Sequence, residues 1–481
     1  MERIITAEQA RASDRAAIAS GVSSIALMRT AAEGIATAVK SFIGGGETVT
    51  AICGTGNNGG DGVAAALLLF RDGIDARIVL CGSEAHCTPD TAYYLNEARA
   101  AGVPVLSEWT PMTKEILIDA LFGVGLNRPV EGAKRDLIGR MNDSGKTVVS
   151  ADLPSGLHAD SGEIMGAGVL ASCTVTMQAK KAGMLLGQGR VNCGEVLVQP
   201  LYDDSSEPAL FFEDEADIAS LLPKRPFDSH KGKNGHALLC VGSGMYPGAA
   251  LLSSRAALRG GAGLLTVCMP DPVRPFFAAL PEAITLPTGT DDWCEAAAVI
   301  ARSAMDGKQA TGIGCGVGRG DITPVIEAAL QSCKKLVLDA DALNQMAAHR
   351  ELLGLLHRNV VITPHAGEMA RLLQTSVSDV LSDPLGAVRA FPCTTLLKGA
   401  TTLVHANGKT AFLTFGNPGL AKGGSGDVLT GLIVALLSQG LEPFDAARAG
   451  AYLLGTSADR AMKLLGERAL LASDVMDMIQ Y

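Results

Sequence analysis

An aspartate follows several glycines in FGNPGLAKGGSGDVLTG, the stretch that spans residues 415–431. Asp427 comes after Gly423, Gly424 and Gly426, and it begins an apolar run that is typical of a helix. Glycines let a bulky group approach the backbone, and the amides at a helix N-terminus attract anions. The aspartate could simply cap the helix, but a cap does not require three glycines beside it. The pattern therefore favours a carboxylate placed beside a bound phosphate.

Other polar residues follow apolar segments in the same half of the chain. Lys398 lies in LLKGATT, His365 in TPHAGE, and Asp339 and Asp341 in LDADALN. Lys398 is a candidate phosphate contact or a surface charge, and His365 could be a core histidine bonded to a carbonyl group. The two aspartates could help to hold Mg²⁺ through water, or they could cap the helix that begins at Ala342.

The first half of the chain contains a second glycine-rich loop, in AICGTGNNGGDGVAAALLLF. A strand leads into this loop and a helix leaves it, so backbone N–H groups point to one place that suits a phosphate. A plain strand-to-helix turn also fits the glycines. The polar residues Asn57, Asn58 and Asp61 are more than such a turn needs, which favours a binding site.

Three more polar residues stand at strand ends in this half: Asp119 in ILIDALFG, and Asp152 and Ser155 in SADLPSG. The carboxyl ends of parallel strands form the binding crevice of an open sheet, so we expect these residues to meet Asn58 there. Each aspartate taken alone could cap the next helix. Together they form a set of oxygen ligands without His or Cys, which suits a hard cation and not zinc.

The elements that position these residues alternate between strands and helices. Apolar strands are predicted at 48–53, 76–81, 115–120, 147–152 and 173–178, and the alternation restarts after an acidic, proline-containing connection at 200–226. Such alternation indicates parallel sheets with crossover helices. We therefore predict an α/β protein of two domains, residues 1–210 and 211–481.

Composition excludes several other classes of protein. The chain has 481 residues, 47% of them apolar, and a net charge of -10 without a basic patch, which argues against a nucleic-acid partner. Its 11 cysteines form no C-x-x-C pair, so a reducing cytoplasm is expected. The N-terminus lacks an apolar signal core and no stretch is long enough to span a membrane, so no membrane partner is expected.

The motifs of the first half, N-N-G-G-D-G, D-A-L-F-G-x-G and D-x-P-S-G, resemble those of the epimerase domain that acts on hydrated NADH and NADPH, called NAD(P)HX. The resemblance implies a Rossmann-like three-layer sandwich, with Asp152 as the acid/base and K⁺ on Asn58, Asp119 and Ser155. It also implies dinucleotide contacts from Asn57, Asn58, Gly59, Gly60, Asp61, Gly123, Val124, Gly125, Leu126, Asn127, Arg128 and Pro129. The segment LMRTAAEG at 27–34 departs from the family pattern, which affects only local helix packing.

The second half resembles the ribokinase-like fold and, more narrowly, the ADP-dependent NAD(P)HX dehydratase domain. HKGxxG, TPHxGEM and GNPGxAxGGxGDVLTG carry this resemblance, with Ser425 standing where Thr is commoner. It implies a doubly wound sheet, with Asp427 taking the proton of the substrate hydroxyl as that oxygen attacks ADP. Substrate contacts are implied at Ala262, Gly316 or Gly318, His365 and Asp427, and nucleotide contacts at Lys398, Gly399, Ala400, Thr401, Thr402 and Gly426.

The two resemblances together imply a bifunctional repair enzyme that uses NAD(P)HX and ADP, with K⁺ and Mg²⁺ as metal ions. We also expect a homo-oligomer. Two alternatives remain open from the sequence. One is a vitamin or sugar kinase with an appended binding domain, which would use ATP and yield a stable phosphate ester. The other is a non-catalytic first domain.

Overall fold

The computed structural model describes residues 1–204 and 206–481. The chain forms two compact units, one made of Arg3–Pro208 and one made of Met1–Glu2 with Ala209–Tyr481. Within the described residues, no helix combines the length and the apolar character that crossing a membrane requires.

The first unit is built on a parallel sheet of seven strands in the order β4-β3-β2-β5-β6-β7-β9, beside a short parallel pair of β1 and β8. All five predicted strands are present. The strands are β1 (Glu2–Ile5), β2 (Thr48–Cys53), β3 (Ala76–Leu80), β4 (Val105–Leu106), β5 (Glu115–Ala120), β6 (Thr147–Ala151), β7 (Cys173–Met177), β8 (Lys180–Lys181) and β9 (Glu195–Gln199). The helices are α1 (Ala7–Ala19), α2 (Ser24–Ser41), α3 (Asn57–Arg71), α4 (Pro89–Ala100), α5 (Gly132–Asp143), α6 (Ala182–Leu185) and α7 (Gly189–Asn192).

Helices cover both faces of this sheet, because successive side chains of a strand point to opposite sides. Ala51 of β2 packs in a core with α2, α3 and α4, whereas Ile52 packs on the other face with Ile138 and Met141 of α5. The expected three-layer sandwich is confirmed. The chain runs outward from β2 to β4 and returns to β5 on the other side of β2, so a crevice opens between the ends of β2 and β5.

The second unit has a sheet in the order β13-β12-β11-β14-β15-β16-β17-β18-β19-β10. Its strands are β10 (Leu210–Phe212), β11 (His236–Cys240), β12 (Leu264–Met269), β13 (Ile284–Pro287), β14 (Ala310–Ile313), β15 (Leu336–Leu338), β16 (Val360–Ile362), β17 (Thr394–Leu397), β18 (Thr402–Ala406) and β19 (Lys409–Leu413). Pairing is parallel from β13 to β17, antiparallel from β17 to β19, and parallel again between β19 and β10.

Its helices are α8 (Glu215–Ala219), α9 (Pro247–Arg259), α10 (Glu295–Met305), α11 (Thr323–Ser332), α12 (Asp341–Ala348), α13 (Ala366–Leu373), α14 (Val377–Ser382), α15 (Pro384–Val388), α16 (Ser425–Ser438), α17 (Pro443–Leu465) and α18 (Ala472–Asp477). The most buried of them is α16, in which every residue from Val428 to Ser438 is buried. A helix that is apolar on all sides must lie inside the protein. Its burial fixes the position of Asp427, which stands in its first turn.

The predicted connection at 200–226 is not free of structure. Leu210 pairs with Thr410, so β10 extends the second sheet, and Asp214 caps α8 by accepting a hydrogen bond of 2.9 Å from the Asp217 backbone N–H. Acidic neighbours hid this short apolar strand in the sequence. Because of it, the division between the units falls at Pro208, close to the predicted boundary.

Candidate active sites

A cavity of about 650 Å³ opens at the carboxyl edge of the first sheet. It is lined by most of the residues predicted to contact the dinucleotide, namely Asn57, Asn58, Asp61, Gly123, Val124, Gly125, Leu126, Asn127 and Arg128, together with Asp152. Gly59 and Gly60 do not line it. Instead, Gly59 packs against the backbone of Gly54, and Gly60 packs against Met28 and Thr91, so these two glycines let α3 lie close to its neighbours. Pro129 does not line the cavity either.

Asn58 presents its amide group unpaired. Both polar atoms of its side chain are buried, and neither has a hydrogen-bond partner in the part of the chain that the structure describes. The side chain lies against Gly123, where an added Cβ would come within 3.2 Å of it. A buried polar group without a partner costs free energy, so this amide is poised to bind a ligand or an ion.

Asp119 is fully buried and does not itself line the cavity. Its carboxylate accepts hydrogen bonds from the Ser155 hydroxyl (2.5 Å), the Ser155 backbone N–H (2.7 Å) and the Ser150 hydroxyl (2.9 Å). Burial raises the pKa of Asp119, and the hydrogen bonds from Ser155 and Ser150 oppose that effect. The structure thus brings Asp119 and Ser155 into direct contact, as predicted.

Asp152 contacts a buried lysine that the sequence did not reveal. Asp152 has a φ of +64°, a left-handed conformation that is costly for a residue other than glycine. Its Oδ1 accepts a hydrogen bond from Nζ of Lys181, a side chain only 2% exposed. The ammonium also donates to Thr176 Oγ1 (2.9 Å) and to the Met177 carbonyl (2.8 Å). Lys181 therefore pairs with the predicted acid/base and fixes its orientation.

A second cavity, of about 430 Å³, lies in the second unit at the start of α16. Asp427, Asp341 and both glycines proposed from the sequence, Gly316 and Gly318, line it, so the structure does not choose between the two glycines. The Gly318 N–H donates to Asp341 Oδ2 at 2.8 Å, which holds this loop to α12.

Asp427 is a partly buried carboxyl group with an unusual proton affinity. Burial and then the charge of Asp339 raise its pKa from 3.8 to about 7, against the opposing effects of a hydrogen bond with Cys315 and the charge of Lys398. A base with a pKa near the working pH is suited to general base catalysis. A plain helix cap would instead have a lowered pKa, because the amides of the helix stabilise its charge.

Lys398 lies beside this carboxyl group and pairs with two acids. Its Nζ is 2.8 Å from Asp339 Oδ1 and 3.7 Å from Glu368 Oε2. Burial lowers the pKa of Lys398, but these two charges outweigh burial and raise it. A Cβ added at Gly426 would lie 3.6 Å from Lys398 Nζ, so the Lys398 ammonium lies next to the N-terminus of α16. The surface-charge interpretation of Lys398 is therefore wrong.

His365 is not a core histidine. Its side chain is 53% exposed, and its Nδ1 caps α13 by accepting from the backbone N–H groups of Gly367 (3.0 Å) and Glu368 (3.3 Å). The β-bridge between His365 and Lys398 places the two residues side by side. Directly after Lys398, Gly399, Ala400 and Thr401 of the predicted nucleotide loop connect β17 to β18, and Thr402 is the first residue of β18.

Ala262 is not brought together with these residues. It is 7% exposed, it belongs to the core, and it stands just before β12, at the amino edge of the parallel sheet. Its neighbour Gly261 packs against Gln439, at the end of α16 opposite to Asp427. The length of that helix separates Ala262 from the cavity by roughly 20 Å. The structure therefore does not bring Ala262 to the lining of this cavity, and its substrate contact stays a prediction.

Three residues near the sites were missed from the sequence: Lys181, Glu368 and Cys315. Lys181 follows Lys180 in AKKAG, and nothing in that stretch shows which lysine is buried. Glu368 could have been found, because H-A-G-E matches the spacing of a capping box. The buried Cys315 thiol meets Asp427 only through the fold.

Asp427→Asn is expected to stabilise the protein in alkaline solution. The folded pKa is about 7 and the ordinary value is 3.8, so the stability of the wild type is greatest when Asp427 is protonated and is lost as the pH rises through 7. Relative to the wild type, the variant should gain about 2–3 kcal/mol in free energy of unfolding between about pH 5 and about pH 8. Urea denaturation at both pH values measures the difference. A difference that does not change with pH would contradict the raised pKa.

Both halves of the chain match families of known proteins. Residues 237–481 match the family model described as NAD(P)H-hydrate dehydratase, and residues 24–183 match that described as YjeF-related protein N-terminus. The bifunctional NAD(P)H-hydrate repair enzyme Nnr of Coxiella burnetii is 34% identical over 487 residues, which cover 97% of this chain and 96% of that protein. The Escherichia coli enzyme of the same name is 35% identical, with coverage of 89% and 84%.

A solved structure shares the fold of the second unit. The ribokinase-like superfamily protein of Enterococcus faecalis covers 58% of this chain and 96% of its own, with 24% identity and a TM-score of 0.50. The predicted ribokinase-like fold is confirmed.

Proposed function

The chain belongs to the family of bifunctional NAD(P)H-hydrate repair enzymes, and from this premise we propose the chemistry that each unit performs. The first unit converts R- to S-NAD(P)HX, and the second dehydrates S-NAD(P)HX to NAD(P)H with ADP, releasing AMP and phosphate. The proposed catalytic domains are residues 1–210 and 211–481. The observation that carries the proposal is Asp427, a carboxyl group with a pKa of about 7 that lines a cavity at the N-terminus of a buried helix.

In the proposed dehydration, Asp427 takes the proton of the C6 hydroxyl, and the oxygen attacks the β-phosphorus of ADP as AMP leaves. The new phosphate ester then breaks at C6 while C5 loses a proton, which restores the dihydropyridine ring. Lys398, Gly426 and the loop 399–402 supply positive charge and N–H groups for the phosphates. His365 and Gly316 or Gly318 are the proposed substrate contacts.

The residues of the first unit fit a monovalent cation. Asn58 offers a buried oxygen without a partner, and Asp119 contacts Ser155. The Ser155 hydroxyl accepts a hydrogen bond from the backbone N–H of Phe122, which lines the same cavity. When bound there, K⁺ would supply positive charge for the anionic dinucleotide. Asp152 is the proposed acid/base of this unit.

The residues of the second unit fit Mg²⁺ only indirectly. Both oxygens of Asp339 already accept hydrogen bonds, from Lys398 (2.8 Å) and from Thr430 (2.8 Å), while Asp341 lines the cavity. Within the described chain, no group of three or more His, Cys, Asp or Glu residues is placed to hold a metal ion. Asp341 is therefore the residue that would hold Mg²⁺ through water, and the ion would be bound mainly by the phosphates of the nucleotide.

The test follows absorbance of the reduced nicotinamide while purified protein, K⁺ and Mg²⁺ act on mixed R- and S-NADHX, with ADP and ATP in separate reactions. Recovery of essentially all the NADH with ADP supports both activities. Recovery of the S fraction alone would make the first unit a binding module. Formation of a stable phosphate ester, without NADH, would favour the kinase alternative.

Asn58→Leu is expected to weaken K⁺ binding, because it removes the one unpaired oxygen of the proposed set and keeps a similar volume. The K⁺ concentration for half-maximal epimerisation should rise about tenfold or more, which corresponds to the loss of one ligand worth ~1.4 kcal/mol. Thermal denaturation with and without K⁺ gives a second readout, since a bound ion stabilises the folded state. If K⁺ shifts the melting temperature of wild type and variant equally, Asn58 is not a ligand.

Two further parts of the proposal concern the whole protein. We propose a cytoplasmic location. All 11 cysteines are free, which supports a reducing compartment. We also propose a homo-oligomer, and light scattering of the purified chain tests it.

A further inference from the structure

Acidic and basic side chains both line the cavity of the first unit, and the basic ones are Arg11, Arg128, Lys134 and Lys181. Asp14 on α1, Asp61 on α3 and Asp152 after β6 all line it, and Lys181 is the ammonium that reaches Asp152. The three N–H groups of Lys181 are used by Asp152, Thr176 and Met177. Lys181 therefore has no N–H group left to donate to Asp61.

Asp61 is not explained as a helix cap. The N-cap of α3 is Gly56, so Asp61 stands in the second turn, beyond the N–H groups that a capping carboxylate accepts. Within residues 1–204 and 206–481, its carboxyl group accepts no hydrogen bond. It faces the cavity with two oxygens available.

The surroundings of Asp61 favour its neutral form. Burial is the main effect that raises the pKa of Asp61 well above its ordinary value. The charges of Asp152 and Asp14 and, more weakly, of Asp90 also raise this pKa, whereas the charge of Lys181 lowers it. Two further titratable neighbours, Tyr94 on α4 and Cys53 on β2, carry no positive charge. Arg11, Arg128 and Lys134 also line the cavity, but Lys181 is the cation that acts on the pKa of Asp61. Asp152 has a partner in Lys181 and Asp61 has none. Two carboxyl groups in one site whose environments differ in this way form an acid and base pair.

We propose that Asp61 is a second catalytic residue of the epimerase, a carboxylic acid that gives a proton to the substrate while the Asp152 carboxylate removes one. This inference rests on the proposed function of the first unit. It assigns to Asp61 a role in proton transfer, beyond contact with the dinucleotide.

The hydrated ring carries its hydroxyl on C6, a carbon also bonded to the ring nitrogen N1. Asp152 takes the hydroxyl proton, the C6–N1 bond breaks, and its electron pair goes to N1, which takes the proton of Asp61. The product is an open-chain aldehyde. Rotation about the C5–C6 bond exposes the other face, and attack by N1 reforms the ring as N1 returns its proton to Asp61 and the oxygen regains one from Asp152. Both carboxyl groups end as they began, and no other reactant is consumed.

Asp61→Asn tests the proposal, because it keeps the shape of the side chain and removes the acidic proton. The ratio of R- to S-NADHX is followed by chromatography without ADP. We expect kcat to fall by about 10²–10³-fold with KM changed less than about threefold. The wild-type rate should fall at high pH as Asp61 loses its proton, and this limb should be absent from the variant. Asp72→Asn, at the exposed end of the same helix, is the matched control and should epimerise normally.

Infrared spectroscopy gives a readout that does not depend on activity. The difference spectrum of wild type minus Asp61→Asn should contain the carbonyl stretch of one carboxylic acid at a pH above the ordinary pKa of aspartate. A variant with kcat within about threefold of the wild type, or with the high-pH limb unchanged, would overturn the role of Asp61. A wild type that does not epimerise would overturn the proposed function instead, and the two results are distinguishable because the wild type is measured in parallel.

Discussion

Asp427→Asn is expected to lower the rate of ADP-dependent dehydration of S-NADHX by about 10³-fold or more, with epimerisation of R-NADHX unchanged. General base catalysis contributes about 10²–10⁴-fold to a rate. No other described carboxylate in this site is free to replace the base. Asp339 already accepts hydrogen bonds from Lys398 and Thr430. Asp341 accepts one from the backbone N–H of Gly318. Asparagine keeps the size of the side chain and cannot accept the proton.

The pH dependence provides a second measurement on the same variant. Because the carboxylate is the active form, the wild-type rate should rise with pH through a limb near 7, the pKa of Asp427. The residual rate of Asp427→Asn should lack that limb. Asp474→Asn is a matched control, since Asp474 also stands in the first turn of a helix, α18, and lies outside the cavity. Equal rates for Asp427→Asn and the wild type would remove Asp427 from the mechanism.

The fold and the position of the backbone loops in each site could be predicted from patterns of neighbouring residues in the sequence. Alternating strands and helices predicted both sheets, and glycine-rich loops at strand ends predicted where the sites open. The loop 54–62 and Asp119 meet because β2 and β5 are neighbours. Sequence motifs of this kind mark positions that need glycine or a polar cap, and those needs are local.

Side-chain partners were harder to predict, because they depend on contacts between distant segments. Lys181 reaches Asp152 across 29 positions, and Lys398 reaches Asp339 across 59. Neither ion pair has a sequence signature, since a lysine at a strand end is usually exposed. Ala262 shows the limit of motif similarity, because the motif predicts a substrate contact for a residue that the length of α16 separates from the cavity.

Asp152→Asn, which tests the epimerase, is harder to interpret than Asp427→Asn, which tests the dehydratase, because Asp152 is paired with the buried Lys181. Asp152→Asn is expected to lower epimerisation by about 10³-fold through loss of the base. It also leaves the Lys181 ammonium, 2% exposed, without its negative partner. Removing one member of a buried ion pair costs about 3–5 kcal/mol, so the single variant should also be less stable.

The double variant Asp152→Asn with Lys181→Met separates these two effects. Methionine has a similar length and no charge, so the double variant should regain most of the stability that Asp152→Asn loses, and thermal denaturation measures this. Its epimerase activity should stay at the level of the single variant, because the base is still absent. If restoring stability also restored epimerisation, Asp152 would act only through the fold. If Lys181→Met alone were as stable and as active as the wild type, Lys181 would not hold the carboxylate in its active form.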